Sequence, residues 1–130
     1  MVKEKSKEQS KTVGKKILIV DDNMAFAAAL KCALLPKGFV LDTAKDGVEA
    51  LEKVKKNDYD AVLTDIIMPR MNGYEATRRL RALDFEKPII GISAFDFKED
   101  IDEGLAAGMN AYVSKAIKPA ALMKLLADLL

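Results

Sequence analysis

Five polar side chains stand at the ends of short apolar runs, where each run gives way to a turn. They are Asp21, Asp22, Asp65, Ser93 and Lys115. Three carboxylates brought together without compensation repel one another and are pushed toward the protonated form, so the set requires a cation. Because the ligands are all oxygens, a hard ion fits, and Mg²⁺ is the natural choice since it takes few protein ligands and keeps its waters.

The same side chains can carry out phosphoryl transfer. A divalent ion beside the Lys115 ammonium can neutralise the oxygens of an incoming phosphoryl group, which leaves one carboxylate free to attack phosphorus in line. We take Asp65 as that nucleophile, because its strand lies in the middle, with the acid pair on one side and Ser93 and Lys115 on the other. The chain contains no histidine, so any chemistry rests on carboxylates, hydroxyls and lysines.

Apolar runs and amphipathic segments alternate along the chain, and these elements must position the site. Strands are predicted at residues 17–20, 39–44, 61–64, 88–93 and 111–114. Helices are predicted at residues 24–35, 46–56, 74–83, 96–107 and from 119 onward. This alternation is typical of an α/β fold, a doubly wound parallel sheet with right-handed crossovers. In such sheets the ligand crevice lies outside the carboxyl ends of the strands, where the five polar residues stand.

The first predicted helix has two apolar faces. One is the stripe expected to face the core, which consists of Phe26, Leu30, Ala33 and Leu34. The opposite face contains Met24, Ala28 and Leu35, with Lys31 as its only charge. This second face either docks a partner protein or packs beneath the neighbouring loops, and the sequence leaves both open.

The third predicted helix combines an apolar stripe with a basic exterior. Ala76, Leu80 and Leu83 are expected to face the core. Arg78, Arg79 and Arg81 are expected on the outside, where they form a solvated helix face or steer an acidic partner.

Length and composition restrict the class of protein. A chain of 130 residues, half of them hydrophobic, suits one domain with a real core. A net charge of +1 provides no general field to attract nucleic acid or an anionic membrane, and no apolar run is long enough to span a bilayer. The single cysteine, Cys32, excludes a disulfide framework and suits a reducing compartment, so we expect a cytoplasmic protein. Residues 1–15 are polar and rich in lysine, which predicts a flexible arm or linker before a domain at 16–130.

Several separate motifs resemble those of the response-regulator receiver domain, the phosphoacceptor module of two-component signalling. The motifs are VDDN at 20–23, D-x-x-M-P-x-M-x-G at 65–73, Ser93 followed by Ala94, and YVSK at 112–115. The resemblance runs from about Lys16 to Leu130 and implies a flavodoxin-like strand order, 2-1-3-4-5, with helices on both faces. The segments GYEATRRLR and GLAAGMNAYVSK look more similar to receivers attached to hybrid sensor kinases than to those of DNA-binding regulators.

The resemblance implies a role for each site residue. Asp65 would be phosphorylated, Asp22 and Asp65 would bind Mg²⁺ directly, and Asp21 would bind it mainly through water. The backbone carbonyl of Ile67 would complete the protein ligands, while Ser93 and Lys115 would hold the phosphoryl oxygens. Ser93 and Tyr112 would then act as the switch that changes a protein-binding surface on the fourth helix, fifth strand and fifth helix.

The resemblance also implies partners. A histidine kinase or a histidine phosphotransfer protein would donate the phosphoryl group, and a downstream protein would read the result, without direct nucleic-acid binding or membrane insertion. Such a domain catalyses its own phosphorylation and dephosphorylation but is not a turnover enzyme. A phosphatase of the haloacid dehalogenase type would need a second acid where this chain has Ile67. A flavin mononucleotide carrier would share the topology, but acids at the strand ends would repel its phosphate.

One departure from the receiver pattern leaves an alternative open. Receivers usually have a cis proline after the active-site lysine, whereas Ala116 follows Lys115 here. A cis bond without proline costs about 3–4 kcal/mol, so the loop is trans or the fold spends stability on it. The alternative function is a degenerate receiver that binds proteins without being phosphorylated. Ile67 and Phe95, two residues beyond Asp65 and Ser93, are bulky, and we expect them to shield an acyl phosphate from water.

Overall fold

The computed structural model describes residues 12–130, which form one parallel sheet covered by helices. The strands are β1 (Lys16–Val20), β2 (Val40–Ala44), β3 (Ala61–Asp65), β4 (Ile89–Ser93) and β5 (Ala111–Ser114). The helices are α1 (Met24–Leu34), α2 (Gly47–Lys56), α3 (Gly73–Ala82), α4 (Lys98–Ala107) and α5 (Pro119–Leu129), and a 3₁₀ helix at Leu35–Lys37 follows α1. Neighbouring strands are all parallel and lie in the order β2-β1-β3-β4-β5. The predicted fold class and strand order are confirmed.

The core lies in two layers, one on each face of the sheet. Alternate residues of a strand point to opposite faces, so Leu18 of β1 belongs to one layer and Ile17 and Ile19 to the other. α2, α3 and α4 cover the first layer, and α1 and α5 cover the second. Every residue of β3 and β4 is buried, as expected for central strands covered on both faces. Each large aliphatic side chain buried in this way contributes about 1.5–3 kcal/mol.

Short polar side chains start the helices that leave the carboxyl edge of the sheet. Asn23 accepts a hydrogen bond from the backbone N–H of Phe26 and so caps α1. Asp46 and Asn72 cap α2 and α3 in the same way. Each cap satisfies a backbone donor that has no partner inside the helix. The caps therefore fix the points at which the chain turns away from the site.

Helix and strand ends lie within one or two residues of the predicted ones, but two side chains near the end of the third helix were predicted wrongly. Leu83 does not face the core, because α3 ends at Ala82, and its side chain is 44% exposed. Phe85 packs against the core instead. Arg81 is half-buried rather than exposed, because its guanidinium group donates hydrogen bonds to the backbone carbonyls of two loops.

Of the predicted arm at residues 1–15, residues 1–11 lie outside the described part of the chain. Thr12 is buried, and its hydroxyl donates a hydrogen bond to the carbonyl of Lys37 at 3.3 Å. The N–H of Gly14 donates to the carbonyl of Gly38 at 2.8 Å. Thr12 and Gly14 therefore both contact the body of the domain. Within residues 12–130, no helix has the length and apolar character needed to cross a bilayer.

Candidate functional site

Three carboxylates and one ammonium group meet at the carboxyl edge of the sheet. Carboxylate oxygens of Asp21, Asp22 and Asp65 lie within 4.8 Å of one another. The Nζ atom of Lys115 lies 3.1 Å from Oδ2 of Asp21 and 3.4 Å from Oδ2 of Asp65. Asp21 and Asp65 are buried, whereas Asp22 is exposed. The structure therefore brings together four of the polar residues that the sequence predicts at this edge.

The backbone holds the two buried carboxylates in place. Asp21 is tied to β2 through its own N–H, which donates to the carbonyl of Ala44 at 3.0 Å. Oδ1 of Asp21 accepts from the N–H of Asn23 at 2.8 Å, and Oδ1 of Asp65 accepts from the N–H of Ile66 at 2.8 Å. In each carboxylate one oxygen is thus held by the backbone and the other faces Lys115.

The loop after Asp65 returns very close to the strand that it leaves. The N–H of Gly73 donates to the carbonyl of Ile66 at 2.7 Å. A Cβ atom at Gly73 would collide with the carbonyl oxygen of Asp65 and lie 2.9 Å from Cα of Ile66, so only glycine fits. Arg70, at φ 68°, pairs with the carboxylate of Asp46 and fastens this loop to the start of α2.

The charge of the site is not balanced by its own residues. Burial, followed by the nearby charge of Asp21, raises the pKa of Asp65 to about 6, although Lys115 and the N–H of Ile66 oppose the shift. Burial lowers the pKa of Lys115, but its hydrogen bond to Asp21 and the attraction of both carboxylates outweigh this, so the pKa lies above its ordinary value. With all groups ionised, one ammonium faces three carboxylates, and the excess of negative charge matches a divalent cation.

The other predicted residues lie beside this cluster. Ser93 ends β4, one residue beyond Ile92, which is the register partner of Asp65. Its hydroxyl oxygen accepts from the N–H of Phe95 at 3.1 Å, and the hydroxyl of Tyr112 donates to the carbonyl of Phe95 at 2.8 Å. These residues and the exposed Ile67 line a cleft of about 310 Å³ between the β3–α3 and β4–α4 loops. Both predicted switch residues therefore bind the backbone of the same residue.

The structure adds residues that the sequence did not indicate as part of the site. The ring of Phe26 lies against Lys115, with 4.5 Å between Nζ and the ring centroid. The helical spacing places Phe26 in the core stripe. Its second contact, with Lys115 directly after β5, is visible only in the structure. The pair of Asp46 and Arg70 is equally invisible in the sequence, because its members lie on different elements. No peptide bond within residues 12–130 is cis, so the bond between Lys115 and Ala116 is trans. With this trans bond, Nζ of Lys115 still contacts both buried carboxylates.

The comparison with protein families decides the identity of the domain. Residues 17–127 match the family described as the response regulator receiver domain. The chain belongs to this family. The predicted resemblance is confirmed, and this receiver is a signalling module of the two-component type rather than a metabolic enzyme.

Individual relatives place this receiver among both regulators and sensors. It is 40% identical over 112 residues to the response regulator MprA of Mycobacterium sp. (strain KMS), covering 86% of this chain and 47% of MprA. It is 41% identical over 101 residues to the sensor protein EvgS of Escherichia coli (strain K12), covering 78% of this chain and 8% of EvgS. The chain thus spans less than half the length of these relatives.

A solved structure shows the same fold with ligands. The response regulator TrrA from Thermotoga maritima, in complex with Mg²⁺ and BeF, is 33% identical with a TM-score of 0.81. The match covers 89% of this chain and 99% of TrrA.

Proposed function

We propose that this receiver takes a phosphoryl group onto Asp65 in a Mg²⁺-dependent reaction and that the modified domain signals to a downstream protein. The donor is a phosphohistidine, carried by a histidine kinase or a histidine phosphotransfer protein. One observation carries this proposal, namely the buried carboxylate of Asp65 held between Asp21 and the ammonium of Lys115. The similarity to MprA and EvgS supports a kinase as the source of the phosphoryl group.

The acidic cluster fits Mg²⁺. The carboxylates of Asp21, Asp22 and Asp65, with the backbone carbonyl of Ile67, would supply only oxygen ligands, which suits a hard cation. The raised pKa of Asp65 reflects crowding of negative charge that a cation would relieve. When bound, Mg²⁺ supplies positive charge to the oxygens of the transferred group.

The side chains of this chain divide the remaining work. An oxygen of Asp65 forms the bond to phosphorus while the P–N bond of the donor breaks and its electron pair stays on the imidazole nitrogen. The N–H of Ile66 holds Oδ1 of Asp65 and so fixes the orientation of the nucleophile. Lys115 and the hydroxyl of Ser93 donate hydrogen bonds to the phosphoryl oxygens.

Phe95 links the site to the surface. In the unmodified domain, Ser93 holds the N–H of Phe95 and Tyr112 holds its carbonyl. When Ser93 turns its hydroxyl toward a phosphoryl group, the N–H of Phe95 loses this acceptor and the contact with Tyr112 changes with it. The surface that responds consists of α4, β5 and α5.

We also propose the setting of this domain. Residues 16–130 form the receiver unit and residues 1–15 a linker, of which Thr12 and Gly14 contact the domain. The domain works in the cytoplasm, without direct nucleic-acid contact or membrane insertion. The free thiol of Cys32 is exposed, which suits a reducing compartment. The domain catalyses its own phosphorylation and dephosphorylation but does not turn over a separate metabolite.

Intact-protein mass spectrometry after incubation with acetyl phosphate tests the proposal. We expect a gain of one phosphoryl group that requires Mg²⁺ and is absent in Asp65→Asn. Asp60→Asn is the matched control, because Asp60 is a half-buried carboxylate before β3, at the opposite edge of the sheet. If wild-type protein gained no phosphoryl group and beryllofluoride with Mg²⁺ left its thermal stability unchanged, the domain would be one that signals without phosphorylation.

A further inference from the structure

The ammonium group of Lys115 has an aromatic neighbour besides its two carboxylates. Its Nζ atom lies 4.5 Å from the centroid of the Phe26 ring, 3.1 Å from Oδ2 of Asp21 and 3.4 Å from Oδ2 of Asp65. We propose that Phe26 is a positioning residue that holds the Lys115 ammonium at the phosphorylation site. This inference rests on the proposed function, in which Lys115 binds the phosphoryl oxygens.

The ring has little freedom relative to the site. The N–H of Phe26 donates to Oδ1 of Asn23 at 3.1 Å, and the N–H of Asn23 donates to Oδ1 of Asp21 at 2.8 Å. Oδ2 of Asp21 lies 3.1 Å from Nζ of Lys115, which lies over the ring of Phe26. Four residues thus form a closed circuit of contacts. The start of α1, one buried carboxylate and the lysine are held in fixed relation to one another.

Phe26 also contacts the body of the domain. Phe26 is half-buried and packs against the core layer formed by α1, α5 and the sheet. The side chain thus makes apolar contacts with the core as well as the contact between its ring and the Lys115 ammonium. A cation over an aromatic face is attracted by the negative potential of the ring, and this attraction grows as water is excluded. The side chain of Lys115 is only 22% exposed.

The backbone of Lys115 is fixed independently, so the ring acts on the side chain alone. The N–H of Lys115 donates to the carbonyl of Ser93 at 2.8 Å. On the following residue, the N–H of Ala116 donates to Oγ of Ser114 at 3.0 Å. The long side chain retains rotational freedom, which costs free energy to restrict. Phe26 and the carboxylates restrict it before a phosphoryl group arrives, which is the condition for efficient transfer.

Substitutions of Phe26 distinguish the attraction between its ring and the Lys115 ammonium from the packing of its side chain in the core. Phe26→Leu keeps an apolar side chain but removes the aromatic face, and we expect phosphorylation by acetyl phosphate to slow roughly three- to tenfold. Phe26→Tyr keeps the face and should restore the rate. Phe85→Leu is the matched control, because Phe85 is a half-buried phenylalanine that packs against the other core layer, and its rate should match wild type.

A spectroscopic measurement reads the contact without phosphorylation. Protons and carbons next to Nζ of Lys115 should show upfield ring-current shifts in NMR spectra of the metal-free wild type. The shifts should disappear in Phe26→Leu and remain in Phe26→Tyr and Phe85→Leu. If Phe26→Leu did not fold, as judged by its thermal transition, Phe26→Met would replace it.

The two measurements distinguish failure of this proposal from failure of the proposed function. Absence of phosphorylation in the wild type would contradict the function, while the ring-current shifts would still decide whether Phe26 holds Lys115. Unchanged Lys115 shifts in Phe26→Leu would overturn the contact. If the shifts disappeared in Phe26→Leu while phosphorylation stayed at the wild-type rate, the positioning role would be wrong. Faster phosphorylation would also overturn it and would show that the ring holds Lys115 away from the phosphoryl group.

Discussion

The surroundings of Asp65 disfavour the ionised form of its carboxyl group. Burial and the neighbouring Asp21 raise its pKa from 3.8 to about 6. Below the unfolded pKa the carboxyl is protonated in both states and costs nothing. As the pH rises from about 4 to above 6, the unfolded chain loses this proton first, so the folded state is progressively destabilised. The arrangement is suited to function at the expense of stability in the absence of a cation.

Asp65→Asn should therefore stabilise the metal-free domain. The amide keeps an acceptor for the N–H of Ile66 and removes the charge, so we expect the free energy of unfolding to rise by about 1–2 kcal/mol at pH 7.5. The gain should shrink as the pH falls through about 6 and be lost by about pH 4. Urea unfolding in the presence of a chelator measures both, with the exposed Asp84→Asn as a control that changes little. A loss of stability at pH 7.5 would contradict the account of repulsion.

Ile67, two residues beyond Asp65, lines the cleft, and we predict that it limits the access of water to an acyl phosphate. Its side chain is 64% exposed, and that of Phe95 is 52% exposed on the opposite loop. Ile67→Asn would replace an apolar surface with a group that can hold water by hydrogen bonds, so we expect the acyl phosphate to decay several times faster. Decay is followed by the loss of the phosphorylated mass after acetyl phosphate is removed. Leu105→Asn, the same kind of change at an exposed apolar residue of α4, should leave the lifetime unchanged.

The sequence predicts the polar residues that meet at the candidate site but not their neighbours from other elements. Asp21, Asp65 and Lys115 were predictable because polar residues after apolar runs must meet at one edge of a parallel sheet. Phe26 was not, because its position in the helical repeat is satisfied by core packing alone. Its contact with Lys115 depends on how α1 and β5 lie across the sheet, which no local pattern records.

At the scale of elements, α3 shows where helical periodicity fails. Arg81 was placed outside by its spacing, yet its guanidinium group binds the carbonyls of Phe85, Lys87 and Gly108 and the side chain of Asn110. Those carbonyls belong to the loops that enter β4 and β5 and need donors. A long side chain can extend away from the helix face on which its Cα lies. The helical period therefore predicts the position of the backbone better than the position of the charged group. The remaining helix and strand predictions hold because they depend on the apolar pattern and on the capping residues at the helix starts.

Arg81→Ala should cost far more stability than other arginine substitutions on the same helix. Several hydrogen bonds from a charged group are lost and loop carbonyls are left without donors, so we expect about 2–4 kcal/mol. Arg78→Ala is the matched control, since Arg78 is half-exposed and makes only surface ion pairs, and should cost less than about 1 kcal/mol. Urea unfolding compares the two. Equal effects would show that the guanidinium contacts contribute nothing beyond the surface charge.

At the scale of the whole molecule, the site lies at the carboxyl ends of the strands, whereas most of the buried core surrounds the central strands. Every residue of β3 and β4 is buried, whereas β5, at the edge of the sheet, is only half-buried. Amides of the central strands are therefore expected to exchange with solvent only through global unfolding, and those of α4 and β5 also through local opening. Ligand binding at the site should affect the two groups differently.

Hydrogen exchange with beryllofluoride and Mg²⁺ tests this division. A ligand present at a hundred times its dissociation constant stabilises the folded state by about 2.7 kcal/mol, so exchange in β3 and β4 should slow by roughly a hundredfold. Amides near Phe95 and Tyr112 should depart from that factor, because the ligand also alters the contacts that join Ser93, Phe95 and Tyr112. Asp65→Asn should abolish both effects. The same slowing at every amide would show that binding stabilises the fold without changing α4 and β5, and the proposed switch would be wrong.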